Sequence, residues 1–170
     1  WKRLAPYWRQ AAANRERILY TPVTSNKAGQ ARIYIIRALT ETTFSIGALR
    51  LDYHRALQKR ISFGKLGHAA IVDATGQVIA HPDKEWERTH KDISKIKPVA
   101  AMMRGETGVA QFYSPAIKAD MIAGYTTEPR SGWGVMIPQP VSELKEASMD
   151  DRMAALGVSL LGMTIAAVLS

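Results

Sequence analysis

The stretch GHAAIVDATGQVIAHP, residues 67–82, decides the fold because two short apolar runs in it flank a turn. Asp73 and Gly76 are residue types that tight turns favour, and each apolar run has the length of a strand. The pattern therefore predicts a β-hairpin. The residues expected in its core are Ile71, Val72, Val78 and Ile79.

The residues after this hairpin predict a helix followed by three strands. In PVAAMMRG, Pro98 suits a first helical turn and Gly105 suits a C-terminal cap. The three apolar segments that follow are separated by turn-like sequences. They are GVAQFYS, MIAGYTT and GWGVMIP. Two strands, a helical crossing and three strands indicate a mixed α+β domain with one antiparallel sheet.

The first sixty residues have the same order of elements as the end of this domain. Three strand candidates precede a helix in which Asp52 is placed to act as the N-terminal cap. These strands are ILYTPV, ARIYIIRAL and FSIGALRL, and the helix is DYHRALQKRI. The later domain likewise passes from its last strands through Pro140 into the helical sequence VSELKEASMDDRM. The shared order predicts a duplicated module, of which WKRLAPYWRQAAANRER would be the last helix of the first copy.

The C-terminal residues 153–170 contain no charged side chain. The stretch falls just short of the roughly 20 apolar residues that cross a bilayer, and it shows no polar face. A buried helix remains an alternative, but we expect a truncated membrane span. The preceding charged helix, residues 141–152, then either transmits a displacement or acts as a passive tether.

Composition narrows the function classes. The 46% apolar and 22% charged residues are typical of a folded protein. The net charge of +8 is spread along the chain, with no dense basic run interleaved with aromatics, so nucleic-acid binding is not expected. The sequence has no cysteine, which excludes disulfides and thiolate metal sites.

Catalytic and metal-binding chemistry find little support. His68 and His81 lie across the predicted hairpin, but further ligands would have to come from Asp73, Asp83 or His90, which lack a recognised metal-ligand spacing. Histidines beside strands are more often simply hydrogen-bonded. There is no nucleophile elbow and no glycine-rich phosphate loop. We predict no catalytic residue, no metal and no cofactor.

A pocket for a small ligand is the better-supported site. Aromatic side chains would give it shape, while one lysine and one aspartate would fix a carboxylate and an amine. The candidates on the last three strands and the helical crossing are Trp86, Tyr113, Lys118, Asp120, Tyr125 and Trp133. In the alternative interpretation the aromatics pack the sheet and the charged residues are solvated.

The hairpin motif, the segment KDISKIKPVAAMMRGETG and the segment MIAGYTTEPRSGWGVMIPQPVSELKEA together resemble a double Cache (dCache) domain. The resemblance covers about residues 20 to 147 and is most specific at residues 67–82 and 132–140. It implies a PAS-like Cache module with a central antiparallel sheet flanked by helices, preceded by the closing strands of another Cache module. The implied divisions are 1–62 for the distal module and connecting helix, 63–140 for the proximal module, 141–152 for the exit helix and 153–170 for the transmembrane helix.

The resemblance implies an extracytoplasmic sensor of a bacterial inner-membrane receptor that acts as a homodimer. Such a sensor is not an enzyme, and it passes a ligand-induced change through its C-terminal helix to a chemoreceptor, histidine kinase or cyclic-di-GMP output. Its ligand would be an amino acid, an organic acid or an amine bound in the distal module. Candidate residues there are Tyr7, Trp8, Arg9, Tyr20 and Tyr34, without the Arg-x-Trp pattern of several amino-acid sensors. A structural, dimerisation or protein-docking module is the alternative.

Overall fold

The computed structural model describes residues 4–25 and 30–146, apart from the side chain of residue 63. It has an α+β fold with antiparallel sheets, as expected. In chain order the elements are α1 (Ala5–Ala13), β1 (Leu19–Tyr20), β2 (Thr24–Ser25), β3 (Ala31–Ala38), β4 (Phe44–Arg50), α2 (Asp52–Arg60), β5 (Ser62–Phe63), β6 (Gly67–His68), β7 (Ala70–Val72), β8 (Val78–Ala80), α3 (Lys84–Thr89), α4 (Lys97–Met103), β9 (Gly108–Ser114), β10 (Ala119–Thr127) and β11 (Gly134–Pro140). Residues 141–146 are helical and are called the C-terminal helix.

Strands β7 to β11 form a five-stranded antiparallel sheet, called the second sheet, in the order β8-β7-β11-β10-β9. Its chain order of two strands, helices and three strands confirms the predicted architecture. Helix α4 begins with Pro98 in its first turn, and Gly105 follows it with φ 79°. Both residues therefore have the capping roles that the sequence predicts.

The predicted hairpin joins β7 to β8, and its turn is closed by backbone hydrogen bonds between Asp73 and Gly76 and between Asp73 and Gln77. Gly76 has φ 83°, a left-handed conformation that residues with a Cβ rarely adopt. The backbone N–H of Ile93 donates to the Gly76 carbonyl, so the segment before α4 packs directly on the turn.

The first sheet is built around β3. One edge of β3 pairs with β1 and then β2, and the other pairs with β4 along its length. The sequence predicts one strand over residues 18–23, whereas the structure has two short strands. Pro22 lies between them and has no N–H to donate to β3. Within the described residues, β4 has no strand partner on its other edge.

Two local predictions are corrected. Leu51, not Asp52, is the N-terminal cap of α2, and the Asp52 carboxylate accepts a hydrogen bond from Arg50 instead. Helix α3 lies in a polar stretch whose pattern does not predict a helix. The carboxylate of Asp83 caps it by accepting from the N–H groups of Glu85 and Trp86.

The predicted membrane span, residues 153–170, lies outside the described residues, as does most of the exit helix beyond residue 146. In the described part of the chain, no helix is both long and apolar enough to cross a bilayer.

Three apolar clusters form the core. The first lies between α1 and the first sheet and includes Ala11 and Ile36. The second joins the two sheets, because Ile33 and Leu51 pack with Ile71 and Ile79. The third fills the face of the second sheet beneath α3 and α4. Its buried members are Ala70, Val72, Val78, Ile93, Val99, Met102, Ala123 and Met136.

Candidate ligand-binding site

The predicted ligand residues fall into separate groups. Tyr7 and Trp8 of α1 pack with Tyr34 of β3, and the Trp8 ring lies 5.1 Å from that of Phe44. This group forms an aromatic wall on the α1 face of the first sheet. Arg9 lies on the exposed side of α1. Tyr7, Trp8 and Tyr34 therefore lie against the same apolar cluster.

Tyr20 lies elsewhere, in the core between the sheets. Its ring contacts that of Trp133 edge-on at 5.8 Å, and Trp133 also contacts His54 at 5.3 Å. The two aromatics join one sheet to the other. Trp133 thus packs against the face of the second sheet opposite α3 and α4.

Trp86 and Tyr125 pack in the third cluster, beneath the helical crossing. Val99 and Met102 occupy the centre of this face and are 0% and 1% exposed. This part of the face is therefore closely packed. Tyr113, Lys118 and Asp120 lie instead on the exposed β9–β10 hairpin, and Tyr113 is 59% exposed.

A cleft of about 310 Å³ lies where β3, β4 and α2 meet. Its lining residues are Gln30, Ala31, Arg32, Arg50, Asp52 and Arg55. Arg32 and Arg50 are directly opposite each other on neighbouring strands, a pairing of like charges that is unfavourable without a nearby anion. The cleft, which we call the arginine cleft, thus concentrates positive charge.

Asp52 is the acidic residue of the arginine cleft. The hydrogen bond and positive charge of Arg50, with smaller contributions from Arg32 and Arg55, hold the pKa of Asp52 below its ordinary value. Arg55 extends to the second sheet, where its guanidinium lies 3.5 Å from the Ile79 carbonyl and 3.5 Å from Glu87 Oε1. An anion bound here would contact the first sheet and α2 together.

The sequence alone does not predict the arginine cleft, because its residues are far apart in the chain. Arg32 follows the start of β3, Arg50 ends β4, and Arg55 lies on α2. Alternating strand faces place Arg32 on the same face as Tyr34. The sequence shows an arginine near the start of β3 and another at the end of β4. Only the strand register shows that these two arginines are neighbours.

A second cleft, of about 290 Å³, contains the two hairpin histidines. His81 Nδ1 accepts from the Asp83 N–H at 3.0 Å, so a neutral His81 carries its proton on Nε2. His68 Nδ1 lies 2.9 Å from the Leu66 carbonyl and therefore donates to it. His81 stacks on Trp86 at 4.9 Å. The Nε2–H of His81 cannot coordinate a metal, and the described residues contain no group of three or more metal-ligating side chains.

We expect stability to fall in acid because of His81. Burial, with the charge of His68, lowers the pKa of His81 to about 4, whereas an unfolded histidine titrates near about 6.5. The unfolded state therefore binds the proton first, and stability is lost as pH falls from about 6.5 to about 4, by roughly 3 kcal/mol at most.

Urea unfolding at several pH values checks this expectation. The His81→Asn variant keeps an acceptor near the Asp83 N–H and should lose most of the pH dependence. Burial also lowers the pKa of His54 and of His90, which add to the same loss. An unchanged pH dependence in His81→Asn would contradict the assignment.

Asp73 provides a polar link between the sheets. The residue is 1% exposed, and its Oδ2 accepts from the backbone N–H of Val23 at 2.7 Å. Its Oδ1 accepts from Thr75 N, Thr75 Oγ1 and Gln77 N within the turn. The sequence assigns Asp73 to the turn, and the structure adds the contact with the first sheet.

Comparison with known proteins identifies the class of fold. No protein-family model matches the sequence. The methyl-accepting chemotaxis protein McpC of Bacillus subtilis is 24% identical over 170 residues, which are 97% of this chain and 24% of McpC. The extracellular domain of the candidate histidine kinase mmHK1S-Z3 superposes with a TM-score of 0.68 at 19% identity, covering 83% of this chain and 55% of that one.

The ligand-binding domain of the Pseudomonas aeruginosa amino-acid chemoreceptor PctB, in complex with L-Gln, gives a TM-score of 0.55 at 20% identity, covering 88% of this chain and 64% of PctB's domain. The chain thus spans about a quarter of its curated relative and less than two thirds of these sensor domains. These likenesses show that the chain has the fold of receptor sensor domains and confirm its resemblance to the double Cache type.

Proposed function

We propose that this chain is the extracytoplasmic, small-ligand-sensing region of a membrane-bound signal-transduction receptor and is not itself an enzyme. The main support is that the two sheets share one apolar core. The last strand of the second sheet, β11, continues directly into the C-terminal helix. A change in the first sheet would reach that helix through packed elements rather than through a flexible linker. The output would be a chemoreceptor, a histidine kinase or a cyclic-di-GMP enzyme.

The proposed organisation follows the expected divisions. Residues 1–62 are the end of a membrane-distal module with its connecting helix, and residues 63–140 are the membrane-proximal module. Residues 141–152 lead to a membrane span at 153–170. The receptor is a homodimer of the bacterial inner membrane, with this region outside the cytoplasm.

The ligand is a small polar molecule bound in the arginine cleft, where β3, β4 and α2 meet. Three guanidiniums favour a carboxylate-bearing ligand, such as an amino acid or organic acid, over a simple amine. Tyr34, which lies on the same face of β3 as Arg32, would contact the apolar part of such a ligand. PctB, which shares the fold, was solved with an amino acid bound.

One observation favours a different role for the second sheet. Its helical face is filled by Val99 and Met102, so this module would act as a structural, dimerisation or docking unit. In that case sensing resides entirely in the first module. The alternative, in which neither module binds a ligand, makes the whole region a structural, dimerisation or protein-docking module.

Isothermal titration calorimetry tests the ligand proposal. The probes are glutamine, asparagine, arginine, γ-aminobutyrate, succinate, acetate and putrescine. We expect at least one carboxylate to bind and the variant Arg32→Ala to weaken it about tenfold, because a charge-assisted hydrogen bond is lost. Arg37→Ala, on the opposite face of the same strand, is the control and should bind as the wild type does. If none of the probes binds, the result would count against the sensor proposal and favour a structural, dimerisation or protein-docking module.

A further inference from the structure

Glu143, in the first turn of the C-terminal helix, is held by the loop between β5 and β6. Its two carboxylate oxygens accept hydrogen bonds from successive backbone amides, Lys65 N at 3.0 Å and Leu66 N at 2.9 Å. Hydrogen bonds from backbone N–H groups to a carboxylate are among the stronger ones in proteins. The helix is therefore fastened to this loop at a defined position.

Gly64 makes room for this contact. It has φ 60°, and a Cβ at this position would collide with Oε2 of Glu143 and lie 3.1 Å from Nε2 of Gln139. Any other residue would push the carboxylate away from the two amides. The glycine in the loop and the glutamate in the helix are thus complementary.

The contact joins two segments that leave the two sheets. Helix α2 follows β4 of the first sheet and ends at Arg60, four residues before Gly64. The C-terminal helix follows β11 of the second sheet. The Glu143 contact therefore links α2 to the C-terminal helix without passing across the five-stranded sheet.

We propose that Glu143 is a positioning residue that couples α2 directly to the C-terminal helix. A displacement of α2 relative to the second sheet moves the 64–66 turn and, through Glu143, the start of the helix. This inference rests on the proposed function in so far as the C-terminal helix carries the signal. The second sheet then serves as the support against which the two helices move.

Distance measurements between spin labels test the coupling without any ligand. The chain has no cysteine, so labels are placed only where cysteines are introduced. Lys59→Cys on α2 and Ser142→Cys on the C-terminal helix are exposed positions. Because Glu143→Ala removes both hydrogen bonds, we expect it to widen the distribution of label distances about twofold. Glu143→Gln keeps one acceptor oxygen and should give an intermediate width.

Two controls separate coupling from general destabilisation. Glu146→Ala removes an exposed carboxylate from the same helix and should leave the distribution unchanged. A second label pair, Lys59→Cys with Gln111→Cys, reports α2 against the second sheet and should stay narrow in Glu143→Ala. Equal broadening of both pairs, or none in the first pair, would overturn the proposal.

The outcomes also separate this inference from the ligand proposal. If no probe binds in calorimetry but the label distances respond as expected, the coupling stands and the sensor proposal fails. If a carboxylate binds but Glu143→Ala leaves the distances unchanged, the sensor proposal stands and the coupling fails. Gly64→Ala should reproduce the broadening of Glu143→Ala, because its Cβ displaces the same carboxylate.

Discussion

Asp73→Ala is expected to lower the free energy of unfolding by about 3 kcal/mol, because it leaves the buried Val23 N–H without an acceptor and removes the hydrogen bonds that hold the turn. Four hydrogen bonds disappear: three within the hairpin turn and one to the Val23 N–H of the first sheet. The Val23 N–H is buried, since Asp73 and Val23 are 1% and 4% exposed, whereas the donors of Thr75 and Gln77 lie in a partly exposed turn. Urea unfolding monitored by tryptophan fluorescence measures the loss.

Asp73→Asn separates the two roles of this carboxylate. If its amide oxygen takes the place of Oδ1, the turn keeps its acceptor while an NH₂ group faces the Val23 N–H. We expect a smaller loss of about 1 to 2 kcal/mol, concentrated at the contact between the sheets. Asp120→Ala, at an exposed position, should change stability by less than about 0.5 kcal/mol. An Asp73→Ala variant as stable as that control would show that the link between the sheets contributes little.

Gly76→Ala is expected to lower the free energy of unfolding by about 3 kcal/mol, for two separable reasons. The residue has φ 83°, which disfavours any side chain, and the added Cβ would lie 2.8 Å from both Cα and Cβ of Ser94. Backbone at Ser94 cannot move away easily, because the neighbouring Ile93 N–H is bonded to the Gly76 carbonyl.

Gly105→Ala is the matched control for Gly76→Ala. Gly105 has φ 79°, nearly the same backbone conformation, but a Cβ there meets no atom within 4 Å. Its replacement should cost only the conformational part, about 1 to 2 kcal/mol. The difference between the two variants in urea unfolding gives the cost of the steric conflict, and equal losses would show that Ser94 yields.

Much of the fold could be predicted because local chemistry and tertiary structure agree. Asp73 and Gly76 form the predicted turn, and Pro98 and Gly105 bound the predicted helix. The errors occur where one residue has two plausible roles. Aspartate is a residue type that favours N-terminal caps, but the guanidinium of Arg50 competes for the carboxylate of Asp52. The capping role of Asp83 was missed since the residues after it are polar and lack apolar periodicity.

The candidate site was less predictable because it depends on which faces meet. Residue type alone indicates aromatic side chains as ligand contacts, yet Tyr20, Trp86 and Trp133 pack in cores on different sides of the second sheet. Tyr7, Trp8 and Tyr34 do form one wall, since α1 lies on the face of β3 that carries Tyr34. The arginine cleft becomes visible only when the β3–β4 register places Arg32 opposite Arg50.

The open edge of β4 has a practical consequence for work with this chain. Seven residues, Phe44–Arg50, present backbone N–H and C=O groups that no described strand pairs with, and Arg50 is the one charged side chain among them. Such an edge can template pairing with another extended chain, and charged residues are the usual protection. If concentrated samples self-associate during calorimetry or spin labelling, a lysine in place of Ser45 or Gly47 would protect this edge.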